Sequence, residues 1–286
     1  MKTHQCRLAA RTVLCIMVAA ATVSCSQQKA APRAEPLASQ VAARQAVAEP
    51  REPKEILMRM ANVLSKTLRF SVTLQGGYDV LQESGQMIEF GENRKITVSR
   101  PDGLRVEAEH SNGEKHLLVY DGKEITAFSP AQNVYAQIAK PGGIDGAVTY
   151  FLRDLHMRLP LAALLLSRFP AEIEGRTRSL DYVETTVVRD TPAHHLAGRT
   201  DTVDYQIWIG QGAQPLPLRA VLTYKNAEGH PQFRADFVDW NLSPEVQNAR
   251  FAFTPPQGAR KIAFLAQLPQ VALPEAAAPA SAGEPK

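Results

Sequence analysis

Cysteine is nearly absent from this chain: of 286 residues only Cys6, Cys15 and Cys25 carry a thiol. Everything after position 25 therefore forms no internal disulfide and no thiolate metal site, and its stability must come from an apolar core. An excess of one charge is missing too. Residues 54–268 hold 24 Lys and Arg against 24 Asp and Glu, and the formal +3 of the whole chain vanishes once Lys2, Arg7 and Arg11 are set aside. A nucleic-acid surface would need a clustered positive excess, so no nucleic-acid partner is expected. Nor does the chain carry a Gly-x-Ser-x-Gly elbow for a hydrolase nucleophile; Glu83-Ser84-Gly85 reads as a turn. Gly142-Gly143 and Gly210-x-Gly212 lack the Lys-Ser/Thr that would follow in a phosphate loop. Asp236 and Asp239, three apart on an expected strand, fall on opposite faces and make no glycosidase pair. His194 and His195 are adjacent on another strand, so they do not chelate together. His195 is expected to be buried and bonded to backbone. No catalytic set, cofactor or metal site is expected.

The two ends differ from the middle. Residues 1–24 have the form of a secretory signal: Lys2, Arg7 and Arg11 without an acid, then the apolar run from Thr12 to Ala21, too short to span a bilayer. Thr22-Val23-Ser24-Cys25 resembles the lipobox of bacterial lipoproteins, with Thr22 where leucine is usual. That resemblance implies lipidation of Cys25 and attachment to a membrane. Ser26 in second place resembles the pattern that directs lipoproteins to the outer membrane. Residues 25–53, rich in Ala, Gln, Pro and Arg, form a disordered tether, and 269–286 an Ala/Pro-rich disordered tail. One folded domain, 54–268, lies between.

Within that domain the apolar period is 3.6 first and 2 afterwards. Ile56, Met60, Val63, Leu64 and Thr67 predict an amphipathic helix over Lys54–Lys66. Leu68, Phe70, Val72 and Leu74 then alternate with polar residues until Gly76-Gly77 interrupts. Further strands are expected at Gly85–Phe90, Lys95–Ser99, Leu104–Glu109, Lys115–Tyr120, Glu124–Phe128 and Val134–Ile138, with Asn112-Gly113 and Asp121-Gly122 as hairpin signals. The helical period returns over Ile144–Arg158, and Leu161–Leu166 is an unbroken apolar run between Pro160 and Pro170. Strands resume at Leu180–Arg189 and His194–Thr200. They lead into a meander of Val203–Ile209, Leu218–Tyr224 and Phe233–Trp240, where alternation places Trp208 and Trp240 opposite the aliphatic rows. Phe251–Phe253 and Lys261–Leu265 are expected to add a last strand and a helical turn.

Short local connections and no βαβ alternation predict an α+β fold: one strongly curved antiparallel sheet of about ten to eleven strands, wrapped around helices. A concave face stoppered by an apolar helix leaves a lipid-sized cavity, unless Leu161–Leu166 simply fills a solid core. Taking one-face strand and helix-stripe residues, the expected lining is Phe70, Val72, Leu152, Leu155, Leu161, Leu164, Leu165, Ile207 and Tyr224.

Several short segments follow the order of a known family: Arg100-Pro101-Asp102, Tyr120-Asp121-Gly122-Lys123, Val134-Tyr135-Ala136, Pro160-Leu161-Ala162, His195-Leu196-Ala197, Gln206–Ile209, Pro215–Pro217, Thr223–Lys225 and Phe251–Pro256. Over about residues 54–266 the chain resembles the predicted periplasmic proteins of domain-of-unknown-function family 2092. That family is similar to the lipoprotein carrier and receptor LolA and LolB and to the stress sensor RseB. The resemblance implies a LolA/LolB-like half-barrel with an apolar interior. It also implies a non-enzymatic periplasmic binding role, with a lipid or lipoprotein as ligand. An envelope protein-interaction or stress-sensing module with a solid core is the alternative.

Overall fold

The computed structural model describes residues 52–153 and 160–264. The expected signal, Cys25, the tether up to residue 51, Leu155 and the tail from 269 lie outside the described residues.

Helix α1 (Pro53–Lys66) starts with Pro53 in its first turn, where a missing N–H leaves no bond unmade. Glu55 in the first turn and Lys66 in the last complement the helix dipole. Ile56, Leu57, Met60, Ala61 and Leu64 bury one stripe. Thr67 ends the helix with extended backbone, its hydroxyl donating back to the Val63 carbonyl at 2.6 Å.

Six strands follow: β1 (Arg69–Leu81), β2 (Met87–Ser99), β3 (Gly103–His110), β4 (Lys115–Tyr120), β5 (Glu124–Ser129) and β6 (Val134–Ala139). Helix α2 (Ile144–Arg153), a 3-10 turn (Ala162–Leu165) and helix α3 (Phe169–Arg176) form the insert. The second set is β7 (Ser179–Val188), β8 (Thr191–Arg199), β9 (Val203–Gly210), β10 (Pro217–Tyr224) and β11 (Gln232–Asn241), and β12 (Arg260–Ile262) comes last. All twelve belong to one open sheet in the order β12-β6-β5-β4-β3-β2-β1-β11-β10-β9-β8-β7. β12 runs parallel to β6 and every other ladder is antiparallel. Among the described residues the first six strands and the second set are joined where β1 pairs with β11.

Several expectations change in detail. Gly76-Gly77 does not interrupt β1, which runs for 13 residues. Gly76 sits where the β11 backbone comes too close for any side chain. Gly85–Phe90 and Lys95–Ser99 are not two strands; most of both belongs to the single β2. Pro170, beyond the apolar run, lies in the first turn of α3.

Trp240 also departs from simple alternation. Asp239 adopts φ 56°, and opposite β1 the register jumps from Thr73↔Val238 to Ser71↔Asn241. This β-bulge shifts the parity by one, so Trp240 joins Phe237 on the core face. Trp208, in regular β9, stays on the other face.

One core unites the molecule. It contains Ile125 of β5, Ala136 of β6, Phe70 and Leu74 of β1, Phe233 and Phe237 of β11, and Leu196 of β8. The helices add Met60 and Leu64 of α1, Phe151 of α2 and Phe169 of α3. Strands from β6 to β8 reach the same helices with one face, which requires the sheet to curve around them.

Candidate apolar-ligand site

The concave face carries a cleft with walls from both strand sets. Phe70, Val72 and Leu74 come from β1 by alternation, Arg94 and Ile96 from β2, Val106 from β3, and Phe237 and Trp240 from β11. Leu64 of α1 closes one end, and the segment Pro160–Leu165 lies over the top with Leu161, Leu164 and Leu165 turned into the space. Trp240 is held by its indole N–H, which donates to the Pro217 carbonyl at 2.9 Å, and its ring lies 5.8 Å from Phe70 and 6.0 Å from Phe237. The cleft encloses about 60 Å³. A site that holds a small-molecule ligand takes roughly 300–1,000 Å³. In this conformation, then, the Pro160–Leu165 segment leaves a cleft smaller than such a ligand.

That segment is an uneasy piece of structure. Leu161 has φ 65°, a left-handed conformation that costs a non-glycine residue about 1–2 kcal/mol. The four-residue 3-10 turn after it has weaker hydrogen-bond geometry than an α-helix. Its downstream end is tied by Asp145 of α2, whose carboxylate accepts from the Ser167 backbone N–H at 2.9 Å and from the Ser167 hydroxyl. Arg100 and Arg168 each approach the same carboxylate at 4.0 Å. The segment is a plug, apolar on its inner side and latched at one end.

Five residues of the expected lining, Phe70, Val72, Leu161, Leu164 and Leu165, meet in this cleft. Leu152, Ile207 and Tyr224 pack against the same core but away from the cleft, Ile207 and Tyr224 on β9 and β10, three and two strands from β1. Leu155 lies outside the described residues. Leu74 and Phe237 share a strand face with residues already marked by alternation, so that signal was present. Trp240 was hidden by the bulge, and Arg94 by a strand boundary drawn one residue too late.

Beyond the cleft the inner row of β2 turns polar. Glu92 and Arg94 form a close ion pair, with side-chain exposures of 3% and 18%. Glu92 is paired across the ladder with His110, whose ring meets that of His116 edge-on at 5.3 Å. Burial, with His110 beside it, holds the His116 imidazole below its ordinary value, against the pull of Glu114. A histidine kept neutral in the fold contributes stability that is full above about pH 6.5 and is lost as pH falls below that value. Thermal melts between about pH 7.5 and 5 are therefore expected to show a falling midpoint, and His116→Gln to flatten that part of the profile. An unchanged slope in the variant would remove His116 from the account.

His194 and His195 point to opposite faces. The His195 ring stacks on Trp208 at 4.0 Å and bonds the Gln206 side chain at 3.1 Å, a side-chain partner where backbone was expected. His194 lies 3.3 Å from the Tyr182 hydroxyl. Among the described residues no group of three or more His, Cys, Asp or Glu is arranged to hold a metal ion.

The family model for DUF2092, described as a predicted periplasmic protein, matches residues 53–265. The chain belongs to the DUF2092 family. No curated protein matches it in sequence. Solved structures similar to this DUF2092 chain include the Mycobacterium tuberculosis lipoprotein LppX, at 13% identity over 68% of this chain and 97% of that one, with a TM-score of 0.42. Another is a LolA superfamily protein from Nitrosomonas europaea, at 12% identity over 71% and 99%, with a TM-score of 0.35. A third is the Pseudomonas aeruginosa MucA/MucB complex, at 17% identity over 71% of this chain and 61% of that one, with a TM-score of 0.36.

Proposed function

We propose that this DUF2092 protein is a non-catalytic binding protein of the bacterial envelope. It is held at the periplasmic side of the outer membrane by a lipidated Cys25 and takes an acyl chain or similar apolar ligand, from a lipid or a lipoprotein, on its concave face. The observation that carries this reading is the plug: an apolar cleft closed by a short segment with a left-handed leucine and one polar latch. An ordinary core would be closed by regular structure. Here the leucines of Pro160–Leu166 stand where an acyl chain would lie, and lifting them opens the cleft at modest cost, because a ligand of the same polarity replaces their contacts.

The latch gives the test. Asp145→Ala removes both bonds to Ser167, so apolar ligands are expected to enter faster and bind more tightly, by up to about tenfold for the loss of roughly 1.4 kcal/mol of closure. Trp240 lies in the cleft wall and the only other tryptophan is Trp208, so titration of a Trp208→Phe background with dodecanol reads the cleft alone. Native mass spectrometry of protein purified from membranes supplies the second readout. A ligand-free spectrum, together with a Trp240 emission that dodecanol leaves unmoved, would overturn the reading.

A specific observation favours a second reading, an envelope protein-interaction module. β7 is an edge strand of ten residues, bonded on one side only, and leaves Val183 49% and Val187 62% exposed. Such an edge is a template for an added strand. Photo-crosslinking from position 183 in cells that yields one dominant protein adduct, with an empty cleft, would select this reading.

A further inference from the structure

The cleft is apolar except at one point, and that point is a cation. Arg94 stands in the wall between Leu74 of β1 and Ala108 of β3 in the ladder, and its guanidinium lies 5.7 Å from the centre of the Phe233 ring. Its partner Glu92 is two residues back on the same face of β2, farther from the plug and outside the cleft lining. Taking such a pair out of water costs more than an apolar pair of the same volume would, so stability alone gives no reason to place it here. Arg94 donates one hydrogen bond to Glu92, at 2.9 Å, and no other acceptor takes a bond from it among the described residues. A guanidinium has five N–H donors in a planar fork that matches a carboxylate or phosphate. The placing of the pair therefore matters: Arg94 is the one charged residue of the cleft lining, and its carboxylate partner is not part of that lining.

We infer that Arg94 is the head-group determinant of the site, receiving the acidic head, carboxylate or phosphate, of a single-chain amphiphile whose tail runs under Leu161 and Leu165. Glu92 holds the guanidinium in place and competes with the head for it. This rests on the concave cleft being a ligand site. It adds to that reading a polarity and a direction: head toward the β2–β3 face, tail toward the plug. An uncharged amphiphile of the same length offers the Arg94 guanidinium no anionic acceptor, and a charge-assisted bond is the stronger one, which is the physical origin of the selectivity.

The test uses the full-length protein and three probes of one chain length, dodecanoate, dodecyl phosphate and dodecanol, read by Trp240 emission in the Trp208→Phe background. The wild type is expected to bind at least one of the two acids about tenfold or more tighter than dodecanol. Which acid is preferred tells a fatty-acid head from a phosphate head. Arg94→Gln is expected to bring the acid-to-alcohol ratio to about one, Arg94→Lys to keep part of it, and Glu92→Gln to raise it. Circular dichroism melts confirm that each variant is folded, and Arg94→Lys keeps the test standing if Arg94→Gln is not. Equal affinity of the wild type for all three probes, or a ratio that Arg94→Gln leaves in place, overturns the head-group assignment while the apolar site stands. Failure of all three probes to bind overturns both.

Discussion

Gly76→Ala is expected to unseat the joint between the two halves of the sheet. Gly76 pairs with Ala235 of β11 on one side and with Glu92 of β2 on the other. A Cβ built there falls inside the radius of the Arg234 carbonyl oxygen and 2.8 Å from the Ala235 Cα. Both neighbours are backbone and cannot swing aside, so the strands must part. Among the described residues the β1–β11 ladder is what pairs β1–β6 with β7–β11, so the damage is not local. Overpacking of a rigid site costs about 1–3 kcal/mol and occasionally more. The upper end is expected here, lowering the thermal midpoint by roughly 6–12 °C for a domain of this size. Gly175→Ala is the control: nothing lies within 4 Å of its added Cβ, and in α3 it is expected to stabilise by about 0.5–1 kcal/mol. A Gly76→Ala protein with a wild-type melt would mean that β11 does not approach β1 as described.

Phe70→Ala is expected to cost about 3–5 kcal/mol, as truncation of a buried phenylalanine does. Phe70 is 2% exposed, packs on Trp240 and lines the cleft. Its removal therefore differs from an ordinary core truncation: the void joins the existing 60 Å³ rather than standing alone. The midpoint should fall by roughly 6–20 °C, and dodecanol should restore more of it in the variant than it adds to the wild type. Loss of stability without any recovery on adding dodecanol would make Phe70 part of a solid core and count against the ligand site.

These two residues also mark how far the fold was legible beforehand. Phe70, with Val72 and Leu74, lies on a plain period-two row, and such rows set the facing of most strands because one face is dry and the other wet. Gly76 carries the opposite lesson. A glycine pair inside a strand pattern signals either a break or a close backbone approach, and only the position of β11, far away in the chain, chooses between them. The cleft divides in the same way. Leu161, Leu164 and Leu165 stood out as an apolar run between prolines, whereas Arg94 belongs to a stretch whose charges resemble those of any solvated strand.

From the residues in order came the near-absence of thiols, the balanced charge, the leading helix, the meander of β9 to β11, and a strongly curved antiparallel sheet as the class of fold. Those properties are local or compositional: periodicity, turn residues and counts, which need no knowledge of what lies across a ladder. Only the tertiary structure decided that β1 and β11 join the two strand sets, that the bulge at Asp239 turns Trp240 inward, and that a half-buried Arg94 pairs with a buried Glu92 beside the cleft. It also decided that Pro160–Leu165 lies over a cleft of about 60 Å³. The reason is common to all of them: a bulge, the packing that encloses an ion pair and a plug exist through contacts between segments far apart in the chain, and no period within one segment records its neighbours.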